Sequence, residues 1–270
     1  MMLVNGVADA MIQPTDRGLS YGDGIFRTLL LRDAFNRNWQ RHYAKLAADC
    51  LRLGIVCPEA SLFEQDIIRC KQEENVGVVK LTVTRGIGQR GYMPQQAAIP
   101  TRIVSTAPLP AYAPQCIGDG VAVRVCQLRL SRQPLLAGIK HLNRLENVLA
   151  RGEWQDPDIM EGLLQDEAGY VIGGTMTNVF AVRGRQLYTP ELSNSGIAGV
   201  TRERMLGFAV GLGLSVRVTQ LSLADILESD EVMLCNSIIG VWQVRELGQK
   251  RWQKGQYVKL FRALLETDND

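Results

Sequence analysis

Lys140 is the side chain whose surroundings point most directly to chemistry. It lies in Ala137-Gly138-Ile139-Lys140-His141-Leu142-Asn143-Arg144, which runs on into Leu145-Glu146-Asn147-Val148-Leu149. Leu142, Leu145, Val148 and Leu149 recur at helical spacing, which predicts a helix that packs this face inward. Lys140 then falls near the first turn, with Gly138 permitting close backbone approach. Partial desolvation and a helix N-terminus both favour a neutral amine, and a neutral amine can attack a carbonyl to form a Schiff base. A solvated lysine on a basic surface is the plainer alternative.

Two further stretches could hold an anion. Ser195-Gly196-Ile197-Ala198-Gly199-Val200-Thr201-Arg202 is a glycine turn that opens a helical run from Glu203 to Leu212. Its free backbone N–H groups and the Thr201 hydroxyl could form a phosphate cup, although ordinary capping needs the same pattern. Asn236-Ser237-Ile238-Ile239-Gly240 follows the apolar run Glu231–Cys235 and offers a second set of donors. Near the N-terminus, the glycine-rich turn Asp16–Gly24 could deliver Tyr21 and Thr28 to a ligand, although such a turn commonly serves only to reverse the chain.

Composition narrows the classes. The 270 residues carry 30 basic and 28 acidic side chains, a formal +2, which argues against a nucleic-acid binder. No apolar run is long enough to span a bilayer, and the first residues lack the features of a signal peptide. Six cysteines are scattered without a Cys-x-x-Cys, and there are two histidines, His42 and His141. That leaves little material for a metal site, a disulfide framework or a Ser-His-Asp hydrolase. The expectation is a cytoplasmic globular protein with reduced, mostly packed thiols.

The elements that must position these residues read as α+β or α/β. A strand is expected over 25–31 and a helix over 40–53, with Tyr43, Leu46, Ala47, Cys50, Leu51 and Leu53 on its apolar face and Gly54 ending it. A second helix is expected from Ser61 to Glu73, with Ser61 and Glu64 as a capping box. Strands follow at 78–84 and 101–106, joined by the basic loop Arg85–Tyr92. Three prolines in 107–115 suggest a linker, giving a small domain over 1–107, a linker over 108–115 and a larger domain over 116–270. Strands 121–125, 162–164 and 170–172, and a hairpin of 178–182 with 186–188, fill out the larger domain.

Four ordered motifs carry a resemblance: Asp16-Arg17-Gly18 with Tyr21-Gly22-Asp23-Gly24-Ile25-Phe26, then Ile139-Lys140-His141-Leu142-Asn143, then Gly174-Thr175-Met176-Thr177-Asn178-Val179-Phe180, then Gly196–Arg202. From about residue 3 to about residue 245 the chain resembles the fold-type IV pyridoxal-phosphate enzymes. That family includes branched-chain and D-amino-acid aminotransferases and aminodeoxychorismate lyases. The resemblance implies a two-domain, D-amino-acid-aminotransferase-like fold, pyridoxal 5'-phosphate as cofactor, a small-molecule substrate and a homodimer. It implies that Lys140 anchors the cofactor, with Lys45, Thr175, Asn178, Gly199, Val200, Thr201, Ser237 and Ile238 around it. Thr28, Arg85–Tyr92 and Arg129–Pro134 resemble the lyase branch. On that likeness Lys140 and Thr28 are the catalytic candidates, and Tyr21, Arg90, Tyr92 and Arg129 the substrate-binding ones. Arginine suits carboxylates through its bidentate fork, although a solvated loop arginine is as good a reading of Arg90 and Arg129 taken singly. His42 is expected at a helix surface or interface, His141 packed beside Lys140, and Asn143 bracing the lysine loop.

The chain departs from the family pattern twice. Gly173 stands where the family carries a glutamate that pairs with the cofactor's ring nitrogen, and Lys45 where an arginine grips the phosphate. An aminotransferase, or a non-catalytic relative with the same fold, remains as an alternative reading.

Overall fold

In the computed structural model of the chain, the described residues are 1–31, 38–72 and 77–267. They divide into two compact units, Met1–Ala111 with Ile139–Asn143, and Tyr112–Gly138 with Arg144 onward. The lysine segment, which the sequence places in the second domain, is thus counted with the first unit.

The first unit is built from β1 (Met2–Val4), β2 (Val7–Ala8), α1 (Arg17–Tyr21), β3 (Gly24–Leu30), α2 (Trp39–Leu53), α3 (Ala60–Cys70), β4 (Val78–Thr84) and β5 (Thr101–Ala107). Its strands form an antiparallel sheet in the order β2-β1-β5-β4-β3. Alternation in β3 sends Ile25, Arg27 and Leu29 into the interior and leaves Phe26, Thr28 and Leu30 half-buried on the other face. Ile25, Leu29, Leu81 and Val83 meet Leu46, Cys50 and Phe63 from the helices in one apolar core. Burial of Phe63 alone contributes about 1.5–3 kcal/mol.

α2 stops at Gly54, whose left-handed φ of 64° lets its N–H reach back to the last carbonyls. Two details of this helix correct the expectation. His42 is buried and not on the surface, and Leu51 is exposed, because the buried stripe runs through Trp39, His42, Leu46, Asp49 and Cys50. α3 also differs. It starts at Ala60 with Glu59 as an N-cap that makes no side-chain bond, and it ends at Cys70. Glu64 does not close a capping box; its carboxylate accepts the Trp39 indole N–H at 2.6 Å. Glu73 lies outside the described residues.

The second unit comprises α4 (Pro114–Gly118), β6 (Val121–Leu130), α5 (Leu145–Arg151), β7 (Ile159–Asp166), β8 (Val171–Gly174), β9 (Asn178–Arg183), β10 (Gln186–Pro190), α6 (Val200–Ala209), β11 (Ser215–Thr219), α7 (Leu223–Leu227), β12 (Glu231–Asn236), β13 (Gly240–Leu247), β14 (Lys250–Arg251) and α8 (Tyr257–Thr267). Its mixed sheet runs β11-β10-β9-β12-β13-β6-β7-β8, with β14 paired to β13. One core cluster holds Val121, Leu163, Val179, Leu234 and Trp242, and a second holds Phe180, Met205, Met233 and Phe261.

The helix after the lysine is shorter than the sequence suggests, and its apolar face is turned the other way. α5 begins at Leu145, and Leu145, Val148 and Leu149 are exposed while Ala150 is buried. The small Ala150 is what packs, against Cys126, Leu130 and Trp154. Among the described residues no helix is long and apolar enough to cross a membrane.

Candidate active site

The candidate residues fall into two sets, one on each unit. In the first, Lys140 stands in an extended segment and not in a helical turn. The Phe26 N–H donates to the Lys140 carbonyl at 2.9 Å, the Leu142 N–H donates to the Gly24 carbonyl at 2.9 Å, and Ile25 bridges His141. This pairing onto the edge of β3 takes 139–142 out of any helix, so no helix dipole acts on the lysine, which corrects the expectation. The close approach needs Gly24, where an added Cβ would lie 2.6 Å from the Val83 carbonyl and 2.8 Å from Leu142. Asn143 sits over Gly22 in the same way, since a Cβ there would come within 2.2 Å of its side-chain oxygen. That fits the bracing role expected of Asn143.

The Lys140 ammonium lies 4.5 Å from the centroid of the Phe26 ring. Thr28 follows two residues along β3 on the same face. A second ammonium, Lys80, lies 5.0 Å from that ring and is the cross-strand partner of Thr28. The sequence reading passed over Lys80; the signal was its polar position in an otherwise buried strand, Val78-Val79-Lys80-Leu81.

Beneath this face Asp49 is fully buried. Its carboxylate accepts Lys45 Nζ at 2.6 Å, makes a very short contact with Arg27, and takes the Lys140 backbone N–H at 3.4 Å. Lys45, expected to meet a phosphate, is therefore held in an ion pair one turn along its own helix. Asp49, also missed, could have been found as the acid four residues after Lys45 on a buried helix stripe.

Tyr21 and Tyr92 do come together, whereas the Arg90 side chain is not brought to them. The Gly91 N–H donates to the Tyr21 hydroxyl at 2.9 Å, and the Tyr21 and Tyr92 rings lie 5.4 Å apart. Arg17 ties the loop down, donating to the Gly91 and Tyr92 carbonyls at 2.9 Å each and to Asp23. Arg90 and Tyr92 point outward and are exposed. Burial lifts the Asp23 carboxyl, but the guanidiniums of Arg85 and Arg17 outweigh it and hold the group below the usual carboxylate range.

In the second unit the organising group is Glu161, which the sequence reading did not single out. This carboxylate is fully buried in β7. It accepts the N–H groups of Gly162, Thr175 and Met176 and the hydroxyls of Thr175 and Thr177. Five donors satisfy the charge in place of water. Gly174 makes room for it, since a Cβ there would sit 2.6 Å from a Glu161 oxygen. The signal in the sequence was a lone acid inside a buried strand, Met160-Glu161-Gly162-Leu163. Thr175 consequently spends both its N–H and its hydroxyl on Glu161. Gly173 is buried in β8, where an added Cβ would lie 2.9 Å from the Thr177 carbonyl.

Asn178 uses both ends of its amide on the glycine turn. Its NH2 donates to the Ile197 carbonyl at 2.7 Å, and its oxygen accepts the Gly199 N–H at 3.2 Å. The same turn pairs with Gly138, two residues before the lysine, through Gly138 N–H to Gly196 and Ala198 N–H to Gly138. Gly199 then caps α6, whose first-turn N–H groups at Val200 and Thr201 have no partner within the helix. The hydroxyls of Thr201 and Ser237 lie 3.4 Å apart, and the buried Ser195 hydroxyl has no hydrogen-bond partner. This donor set fits a phosphate ester, with neutral donors gathered at a helix N-terminus. Ile238 is less available, because its N–H is taken by the Asn236 side-chain oxygen at 2.8 Å. Arg129 is bonded to Gln165 through a very short contact and is otherwise exposed.

Comparison with known proteins gives a consistent result. The amino-transferase class IV family matches residues 24–247. The aminodeoxychorismate lyase of Vibrio harveyi is 36% identical over 242 residues, covering 89% of each chain. A putative branched-chain-amino-acid aminotransferase of Methanocaldococcus jannaschii is 29% identical, covering 97% of this chain and 91% of its own. Among solved structures, the 4-amino-4-deoxychorismate lyase from Pseudomonas aeruginosa superposes with a TM-score of 0.94 at 41% identity, over 99% of both chains.

Proposed function

The chain belongs to the amino-transferase class IV family, and on that premise we propose that it is an aminodeoxychorismate lyase, converting 4-amino-4-deoxychorismate to 4-aminobenzoate and pyruvate for folate synthesis. The observation that carries this reading is the end-to-end likeness, in sequence and in fold, to the Pseudomonas aeruginosa lyase. The family's cofactor is pyridoxal 5'-phosphate. Its phosphate would be held by the α6 N-terminus at Gly199, Val200 and Thr201 with Ser237, and its aldehyde by Lys140. When bound, the cofactor withdraws electrons from the substrate carbon that bears the amine.

The remaining chemistry belongs to the chain's own side chains. Lys140 Nζ removes the proton from that carbon, and the enolpyruvate departs from its neighbour as the ring becomes aromatic. The Thr28 hydroxyl, on the same face of β3 as Phe26, relays a proton to the departing oxygen. The Phe26 ring lies against the Lys140 side chain, 4.5 Å from its nitrogen, and helps fix where that nitrogen stands. Arg90 and Arg129, with Tyr21 and Tyr92, are assigned to the two substrate carboxylates, for which the planar guanidinium fork is suited.

The reading includes a homodimer in the cytoplasm. It is supported by the family resemblance, by the free cysteines, and by Leu145, Val148 and Leu149 standing exposed together on α5. Light scattering on the purified protein tests the assembly. The activity is tested by pyruvate release from 4-amino-4-deoxychorismate, run beside amino transfer to 2-oxoglutarate. Transfer without pyruvate release would overturn the lyase reading in favour of an aminotransferase. Borohydride reduction in the presence of pyridoxal phosphate should add the cofactor's mass to the Lys140 peptide.

A further inference from the structure

A pair of thiols in the first unit lies outside everything assigned above. Cys50 is on the last turns of α2, fully buried in the core. The helix ends at Gly54 in a left-handed turn, and the Ile55 N–H folds back to the Cys50 carbonyl at 2.9 Å. That reversal returns the chain so that the Cys57 side chain packs on the core to which Cys50 belongs, with its thiol donating to the Pro58 carbonyl at 3.5 Å. Among the described cysteines, Cys57 alone is partly open to solvent, and the other five are buried.

The surroundings of Cys57 activate it. The neighbouring Cys50 thiol, with a smaller influence from the Tyr43 hydroxyl, holds the Cys57 thiol below its ordinary range against the opposing effect of burial. Tyr43 is fixed there by its own bond to the Pro58 carbonyl at 3.0 Å. Cys50 is pushed far up by the neighbouring Cys57 and by burial, so it keeps its proton. Cys126 and Cys235, pushed up to about 12 mainly by burial, have no such partner thiol and serve as internal comparators.

We propose that Cys57 and Cys50 form a peroxide-reactive modification site, with Cys57 the attacking thiol and Cys50 the resolving one. The Cys57 thiolate attacks one oxygen of hydrogen peroxide, the S–O bond forms, the O–O bond breaks, and hydroxide leaves to become water. The Cys50 sulfur then attacks the sulfenic sulfur, the S–S bond forms, the S–O bond breaks, and a second water leaves with the Cys50 proton. Two thiols are oxidised and one peroxide is reduced to two waters. A dithiol reductant reverses the change. An accessible, lowered thiol beside a resolving thiol is the arrangement that redox-responsive cysteines require. The site stands independently of the lyase reading.

The test uses the full-length native protein treated with stoichiometric hydrogen peroxide, alkylated, digested with trypsin and mapped by mass spectrometry. The expected result is a disulfide joining peptide 46–52 to peptide 53–69, formed at least about tenfold faster than any oxidation of Cys126 or Cys235 and lost on dithiothreitol treatment. In Cys50→Ala, Cys57 should stop at a sulfenic acid that dimedone traps. Should that variant fail to fold, the mapping of the unsubstituted chain decides alone. The proposal is overturned if the joined peptide is absent while Cys50 still alkylates after denaturation, or if Cys57 reacts no faster than Cys126.

Discussion

The Asp49 carboxylate binds Lys45 at 2.6 Å while also contacting the buried guanidinium of Arg27. Lys45 stands at the family's arginine position, and here its charge is already matched. Any phosphate must share it with Asp49. Asp49→Asn removes the counter-charge from Arg27, which is 3% exposed. Breaking a buried pair from one side costs about 3–5 kcal/mol. Urea unfolding of the variant should show that loss, and a change under about 1 kcal/mol would mean that the cluster does not support the fold.

Lys140→Ala should cut pyruvate release by at least about 10³-fold, since both the anchoring amine and the base are lost. The far-UV circular dichroism should match the parent, because the backbone bonds that hold the segment to β3 involve no side chain. A variant that keeps even a tenth of the activity would remove Lys140 from the chemistry.

Glu161→Gln replaces an acceptor facing five donors with a group that must turn an NH2 toward some of them. The expected cost is about 2–3 kcal/mol. Hydrogen exchange should quicken at the Thr175 and Met176 amides ahead of the core strands. Unchanged protection there would show that the turn does not depend on the carboxylate.

Gly173→Glu restores the family's carboxylate at the crowded position near Thr177. The 2.9 Å contact of its Cβ with the Thr177 carbonyl predicts a loss of about 1–3 kcal/mol. Our hypothesis is that aromatisation lets the lyase work without this carboxylate, whereas amino transfer needs it to stabilise a carbanion. The variant should therefore gain measurable transamination. Unchanged lyase turnover with no transaminase activity would leave the hypothesis without support.

Acid stability should depend on Asp23. Its folded pKa is lowered, because Arg85 and Arg17 overcome the effect of burial. The stabilisation is present above the unfolded carboxylate range and fades as pH falls through the depressed folded value. Asp23→Asn should therefore flatten the acid limb of the stability–pH curve. An acid limb identical to the parent's would mean the arginines do not discriminate between the two protonation states.

Much of this was legible because local pattern and tertiary role agreed. The strand Val78–Thr84 and the helix ending at Gly54 follow from apolar spacing and a glycine stop. The lysine segment misled because Leu142 and Leu145 mimic a helical stripe, while the backbone of 139–142 is claimed by β3 from more than a hundred residues away. No local propensity encodes that partner. Glu161 and Asp49 were missed for a related reason. A buried carboxylate looks like an error in an apolar pattern until its donors, scattered along the chain, are known.

The order of strands in the second unit also sets a schedule for synthesis. β6 pairs with β13 in parallel, Val121 opposite Val244, so it waits for a neighbour made some 120 residues later. At typical translation rates that interval is about 6–25 s. Throughout it, the β6 edge stands open to other nascent chains. Expression yield, more than equilibrium stability, should therefore respond to temperature and to chaperone supply.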